Sequence, residues 1–326
     1  MASITGPPAY LPGASVPPGR RRQYGLQTQA TVTTEPDTAR PRYSLQGVEH
    51  EVNDCGRLTC WSHDCEAQDG DKLADQPGQQ WVTSSPFTVV AAGPPCFGPD
   101  AIANARRRAL ERLEALEWAA VERAVLSGMC GASPYLIGPP GGGGDIELQV
   151  RPATPDGYTA LADWHLFDTD FAPVLPAGTD PVPLDRALAL IEWGMRDYGG
   201  AGVIHAPSWT WPWLDDYLTE DGPRKTTEIG TGVAFGRGYW SVAPGTPDPV
   251  EPDTPPDTAS AWLYATGAVR IWRSQPQAPT EDDIEFDWRQ NRSTALVERH
   301  YTVSMQCPYI AVNAVMEGTP DDGQGE

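Results

Sequence analysis

Between Ala101 and Ser127 the chain runs for 27 residues without a proline or a glycine, although it holds 33 glycines and 34 prolines in 326 residues. Such a run reads as one unbroken helix, roughly 40 Å long at 1.5 Å per residue. Gly98–Pro99–Asp100 supplies the turn and an N-cap candidate before it, and Gly128 ends it. Leu110, Leu113, Ala120, Val121, Ala124 and Val125 fall at helical spacing and form an apolar stripe. Arg107, Arg108, Glu111, Arg112, Glu114 and Glu122 are assigned to the opposite, polar face. A helix apolar on one face needs a partner layer, and the glycine- and proline-rich remainder favours strands, turns and extended arms over a helical bundle.

Residues 1–45 are rich in Pro, Gly, Thr and Ser and read as an extended arm that gains its burial from a neighbour. Residues 46–98 contain strand-like pieces at Trp81–Thr83 and Pro86–Val90 around a polar stretch, the pattern of a two-stranded excursion. After the long helix comes a glycine-rich loop (GPPGGGGD, 138–145). A second helix begins after Pro183, with Leu184, Leu188, Ile191 and Met195 on one face and Gly199–Gly200 as its stop. Gly202–Ala206 reads as a buried strand, and Trp213–Leu218 as a further helical piece. Strands follow at 226–242, a hairpin at Trp262–Tyr264 and Ala268–Trp272, and alternating strand from Ala295 to Val315, broken at Pro308. The fold class is therefore α+β.

The net charge of −21 argues against tight nucleic-acid binding, which needs clustered Lys and Arg; Arg20, Arg21 and Arg22 are the local exception. No stretch is long and apolar enough for a membrane helix, and the first residues do not read as a signal peptide. Cys55, Cys60, His63 and Cys65, with Cys96 as a further member, are the weak metal candidates. They lack a C-x-x-C knuckle, and reduced thiols are the preferred reading. His205 lies in an apolar strand beside a turn; a core histidine with one satisfied hydrogen bond is preferred to a ligand or base. Acidic pairs such as Asp215–Asp216 read as solvated loop charges. No H-E-x-x-H, G-x-S-x-G or Walker pattern occurs, so no catalytic residue, metal or cofactor is assigned. A cytosolic zinc-dependent enzyme built on the cysteine cluster is the rival of a different class.

Three stretches carry a resemblance: the helix ending in ERAVLSGMCGASPYLIG, the unit LDRALALIEWGMRDYGGAGVIHAPSWTWPWL, and STALVERHYTVSMQCPYIAVNAV. In order and spacing, across roughly 100–315, they resemble the spine helix, the A-domain unit and the closing strands of HK97-type major capsid proteins of tailed, actinobacterial phages. The resemblance implies an N-terminal arm (1–45), an extended loop (46–98), a P-domain with spine helix and glycine-rich loop (99–183), an A-domain (184–265), returning strands (266–315) and a polar tail (316–326). It implies a self-assembling shell protein, not an enzyme, forming hexamers and pentamers of an icosahedral head. Such a head encloses double-stranded DNA without sequence-specific contact; the acidity is compatible with a wall that repels DNA, and solubility is the preferred reading of it. Assembly in the host cytoplasm, final residence in the virion, and a separate scaffolding protein, a portal and decoration proteins as partners are implied with it. An encapsulin-like shell, a minor capsid subunit or a tail-tube subunit is the alternative within the same class. Some family members crosslink through a lysine of the extended loop and an asparagine elsewhere. Lys72 is the single lysine in that loop, Asn291 is distant in sequence, and an ordinary solvated lysine is preferred.

Overall fold

The computed structural model describes residues 24–36, 43–51, 81–84, 86–93, 101–127, 174–196, 202–244, 259–278, 286–287, 292–293, 295–306 and 309–316. In chain order the elements are α1 (Leu26–Gln29), β1 (Thr31–Thr34), α2 (Tyr43–Gln46), β2 (Val48–Glu51), β3 (Trp81–Ser84), β4 (Phe87–Ala92), α3 (Ala101–Ser127) and α4 (Leu184–Met195). Then come β5 (Val203–Pro207), α5 (Trp211–Leu214), β6 (Thr219–Asp221), β7 (Arg224–Thr226), β8 (Gly232–Gly236), β9 (Ser260–Thr266) and β10 (Val269–Arg273). The last four are β11 (Phe286–Asp287), β12 (Arg292–Ser293), β13 (Leu296–Met305) and β14 (Tyr309–Val315). Among these helices none is long and apolar enough to cross a membrane.

The chain is α+β, with two main sheets. A four-stranded sheet runs β1-β10-β13-β4, in which β1 lies parallel to β10 and the other pairings are antiparallel. α3 packs on its inner face. Phe87, Val89 and Ala91 of β4 alternate inward, as do Val297, Tyr301 and Val303 of β13, and they meet Ala109, Leu113, Ala120 and Val121 of the helix. Arg107, Arg108, Glu111 and Glu114 face outward, and Arg107 pairs with Glu111 one turn on at 2.7 Å. The helix is one-sided only in its first half; Val121 to Leu126 are all buried.

The second sheet has six strands in the order β14-β9-β5-β8-β7-β6. It is covered on one face by α4 through Leu188, Ile191 and Met195, which pack with Ile204, Val233, Leu263, Ile310 and Val312. Its central strand β5 is buried at all five residues, as a strand covered on both faces must be. Segment 174–182 lies along β14 through Val174 opposite Ala311 and Val182 opposite Ala314, so that edge is covered.

The expected hairpin at 262–272 is not one. β9 and β10 do not pair with each other and belong to different sheets, as do β14 and β13. β9 pairs with β14 and β10 with β13, so one antiparallel ladder passes from sheet to sheet. At the crossing Gly267 N–H donates to Gln306 O (2.8 Å) and Gln306 N–H to Ala268 O (3.0 Å). Thr266 faces Tyr309 but Val269 faces Met305, so an advance of three residues on one strand matches an advance of four on the other. A one-residue offset of this kind is what a β-bulge introduces.

Two further expectations change. The Trp213–Leu218 helix is instead a run of three short turns: a 3-10 turn at Ser208–Thr210, then α5, then a 3-10 turn at Asp215–Tyr217. Pro212 sits in the first turn of α5, where its missing N–H costs no bond. Residues 24–34 of the expected arm fold on this subunit itself. Leu26 is fully buried, and β1 completes the four-stranded sheet. In the 46–98 segment, β2 and β3 form a separate antiparallel ribbon, whereas β4 belongs to the four-stranded sheet.

Candidate functional site

Three arrangements of polar and aromatic groups stand out from the cores. The first fastens α3 to the sheet beneath it. Glu117, 4 % exposed, lies on the buried stripe between Leu113 and Val121. Its carboxylate accepts from Tyr301 Oη at 2.7 Å, from Arg273 Nη1 at 3.2 Å and from Arg299 Nη1. Arg299 is itself buried, and its pairing with Glu117 is the direct charge balance between helix and β13. Burial first, and then the neighbouring carboxylate, push the Tyr301 phenol far above its ordinary range, so it stays a donor. Arg273 also reaches Thr34 Oγ1 at 2.9 Å, which draws β1 into the same cluster.

The second arrangement holds the chain's early residues. Glu122 reads as a polar-face residue in the sequence, yet it is 2 % exposed. Its two oxygens accept from Leu26 N (3.2 Å) and Gly238 N (3.1 Å), so one carboxylate ties α1 and the loop after β8 to α3. Gln29 Nε2 donates to Lys225 O and Val233 O, both at 3.1 Å. Tyr24 stacks on Trp211 with ring centroids 5.0 Å apart, and its hydroxyl donates to Glu220 Oε1 at 3.2 Å. Lys225, buried, pairs with Asp215 at 2.8 Å and Glu220 at 3.2 Å, and lies 4.9 Å from the Trp211 ring centroid. The corner 24–29, 211–217 and 220–225 is thus one connected cluster.

The third is an open groove of about 650 Å³ between α4, the Asp215–Tyr217 turn and the loop after β7. Leu188, Trp193, Asp216, Tyr217, Glu228 and Ile229 are among its walls. Trp193 is 55 % exposed and Ile229 77 %, unusual for side chains of this size. The loop that presents Ile229 is held in shape. Thr227 N–H donates to Thr231 O, and the hydroxyls of Thr227 and Thr231 donate to the two oxygens of Glu192 at 2.5 and 2.9 Å. Gly230 takes φ +107°, which an L side chain resists. A rigid loop displaying an isoleucine beside a tryptophan and two free-standing carboxylates is suited to holding a partner segment.

His205 is no part of these surfaces. It is 1 % exposed, and both ring nitrogens are used. Thr266 Oγ1 donates to Gly267 O, so it accepts from His205 Nε2 at 3.0 Å. That leaves Nδ1 as acceptor for the Tyr239 hydroxyl at 2.8 Å, which burial keeps protonated. The histidine is a core residue with two bonds where one was expected. Burial lowers its pKa to about 3 from an ordinary 6.5. The unfolded chain therefore binds a proton that the folded chain refuses once pH drops below 6.5. Stability falls with pH through that window, by roughly 2 kcal/mol from this residue alone between pH 7 and pH 5. Denaturant midpoints at those two pH values, compared between the parent and His205→Gln, check it: the variant is expected to lose that share of the slope. An unchanged slope contradicts the assignment.

Cys55, Cys60, His63, Cys65, Cys96, Lys72, Asn291 and the 138–145 loop lie outside the described residues. Glu117, Arg299 and the Trp193–Ile229 groove were not picked out from sequence. Glu117 had a signal, being four residues from both Leu113 and Val121 on the apolar stripe. Arg299 had one too, since it alternates with Val297 and Tyr301. The groove had none, because its walls come from three separated segments.

No family model and no curated protein matches the chain. Solved structures do resemble it. The capsid of the empty GTA particle matches with a TM-score of 0.50 and 11 % identity, covering 96 % of this chain and 98 % of that one. A chain of Mycobacterium phage Ogopogo gives 0.48 and 13 %, covering 96 % and 98 %. The capsid of Ralstonia phage GP4 gives 0.45 and 12 %, covering 99 % of each chain. The first of these likenesses is one of fold, along almost the whole length of both chains.

Proposed function

We propose that this chain is the major capsid protein of a tailed phage, a structural protein of HK97 type and not an enzyme. In this reading α3 is the spine, the six-stranded sheet with α4 forms the A-domain, and the β2–β3 ribbon is the base of the extended loop. The domain limits 1–45, 46–98, 99–183, 184–265, 266–315 and 316–326 are those of the sequence resemblance. Copies join as hexamers and pentamers into an icosahedral head around double-stranded DNA. The head is assembled in the host cytoplasm and persists as the virion, and scaffolding, portal and decoration proteins are its other partners. The actinobacterial host rests on the sequence resemblance alone. No metal is assigned to Cys55, Cys60, His63 and Cys65, and no crosslink to Lys72 and Asn291.

The observation that carries the proposal is the correspondence of fold with the GTA capsid over 96 % of this chain, at a TM-score of 0.50. The chain's own geometry supports it. A 27-residue helix is fastened along one sheet by a buried charge cluster, as a stiff strut needs. The ribbon β2–β3 brings Glu51 and Trp81 side by side with residues 52–80 between them. A two-stranded ribbon by itself is marginal in water; β2 and β3 touch β13 of the same chain, and contact with other copies would add to that support. Sedimentation of the purified full chain tests the reading. It is expected to give species of five or six 35.2 kDa chains, or closed particles, in a concentration-dependent equilibrium. A single monomeric boundary at all concentrations and salts contradicts it.

A further inference from the structure

We propose that the groove bounded by Trp193, Tyr217 and Ile229 is the seat of this chain's own residues 1–23. The walls ask for a particular occupant. Trp193 and Tyr217 offer aromatic faces, Ile229 an apolar tip, and Asp216 and Glu228 exposed carboxylates at the rim. The third carboxylate, Glu192, is already taken by Thr227 and Thr231. The cation at this edge is Arg196, stacked 4.1 Å above the Trp193 ring. An aromatic groove with an acidic rim fits an extended, proline-rich segment that carries positive charge.

Residues 1–23 are such a segment. They contain Pro7, Pro8, Pro12, Pro17 and Pro18, the apolar Tyr10, Leu11 and Val16, and then Arg20, Arg21 and Arg22, with no acidic residue. Of the net −21, this stretch contributes +3, which leaves −24 on the remainder. Prolines also lower the ordering cost of docking, because the free segment already favours an extended form.

The point of entry favours the chain's own copy. Tyr24, the first described residue, is fixed by its stack on Trp211, its bond to Glu220 and its carbonyl, which accepts from Phe235 N at 2.7 Å. Trp211 begins the helical run that ends at Tyr217 in the groove wall. Asp215, next to Asp216, holds Lys225, whose Nζ is 5.5 Å from the centroid of the Tyr24 ring. The tether point of the segment is therefore Tyr24, packed on the helical run that leads to the groove wall, and ten extended residues span about 33 Å.

Trypsin cleavage after Arg20, Arg21 and Arg22 in the full-length, unassembled chain tests this, read by mass spectrometry of the released fragments. The parent is expected to be cut slowly at low salt. Asp216→Asn combined with Glu228→Gln is expected to be cut about three- to tenfold faster, in line with the loss of two exposed ion pairs. Ile229→Ser, at a site too exposed to affect folding, is expected to act in the same direction. Salt near 0.5 M, where screening acts within about 4 Å, should speed the parent and barely affect the charge variant. Equal rates in all these proteins overturn the proposal. Protection that disappears on dilution overturns it in favour of a second copy as the donor of the segment. The proposal is independent of the shell reading, since every measurement is made on separate chains.

Discussion

Glu117→Ala is expected to destabilise the folded chain by about 3–5 kcal/mol, the range for stranding one partner of a buried ion pair. Arg299 would keep its charge inside the interface of α3 and β13, with a side chain only 8 % exposed and its carboxylate gone. The Tyr301 hydroxyl would lose its acceptor in the same step, and Arg273 its ion pair with the helix, keeping only its place over the Trp118 ring. The stack of Phe87 on Tyr301, with centroids 5.6 Å apart, packs beside the same cluster, so the damage reaches β4 as well. The companion variant Glu117→Leu with Arg299→Met removes both charges and keeps the volume. It should recover most of the loss, because two apolar groups replace a pair whose desolvation was costly from the start. Urea titration of the three proteins reads this out. If the single and double variants are equally unstable, the charge balance is not what joins the helix to the sheet.

Gly238→Ala is expected to be nearly as damaging, at about 2–5 kcal/mol from overpacking together with a lost hydrogen bond. A Cβ at this position would lie 2.0 Å from Ala119 O and 2.5 Å from Arg123 N. Both are backbone atoms inside α3 and cannot turn aside as a side chain would. The loop after β8 must therefore lift away from the helix, which breaks the bond from Gly238 N to Glu122. Glu122 also caps the early segment at Leu26, so residues 24–29 should loosen in the same variant. Hydrogen exchange at the amides of Leu26 and Gly238 follows both ends at once. Combining Gly238→Ala with Glu122→Gln should cost less than the two singles together, since they share one contact. Strict additivity would mean that the carboxylate does not bridge the two segments.

The elements with a strong period were legible. α3 and α4 follow from their apolar stripes, and β5 from a short apolar run after glycine. Partner choice was harder. β9 and β10 alternate around Gly267 as a hairpin would, and nothing local says that the two strands pair elsewhere, in different sheets. That is decided by β13 and β14, far along the chain, with Gln306 between them bonded to Gly267 and Ala268. Glu122 was misplaced because charge was taken as a mark of exposure. In fact a carboxylate facing two backbone N–H groups is well placed indoors. Residues 24–34 looked too polar to fold alone. They do so by burying one leucine and by using side-chain amides and backbone groups, a kind of adhesion that hydropathy does not register. The groove could not be read at all, since it depends on how α4 and two loops meet.

Negative-stain electron microscopy of the expressed full-length chain, alone and together with a scaffold candidate, tests the central claim most directly. Uniform closed shells, or five- and six-membered rings whose subunits touch around a common axis, are expected. A chain that stays a dispersed single particle of 35.2 kDa size under every condition, with or without the scaffold, would contradict it.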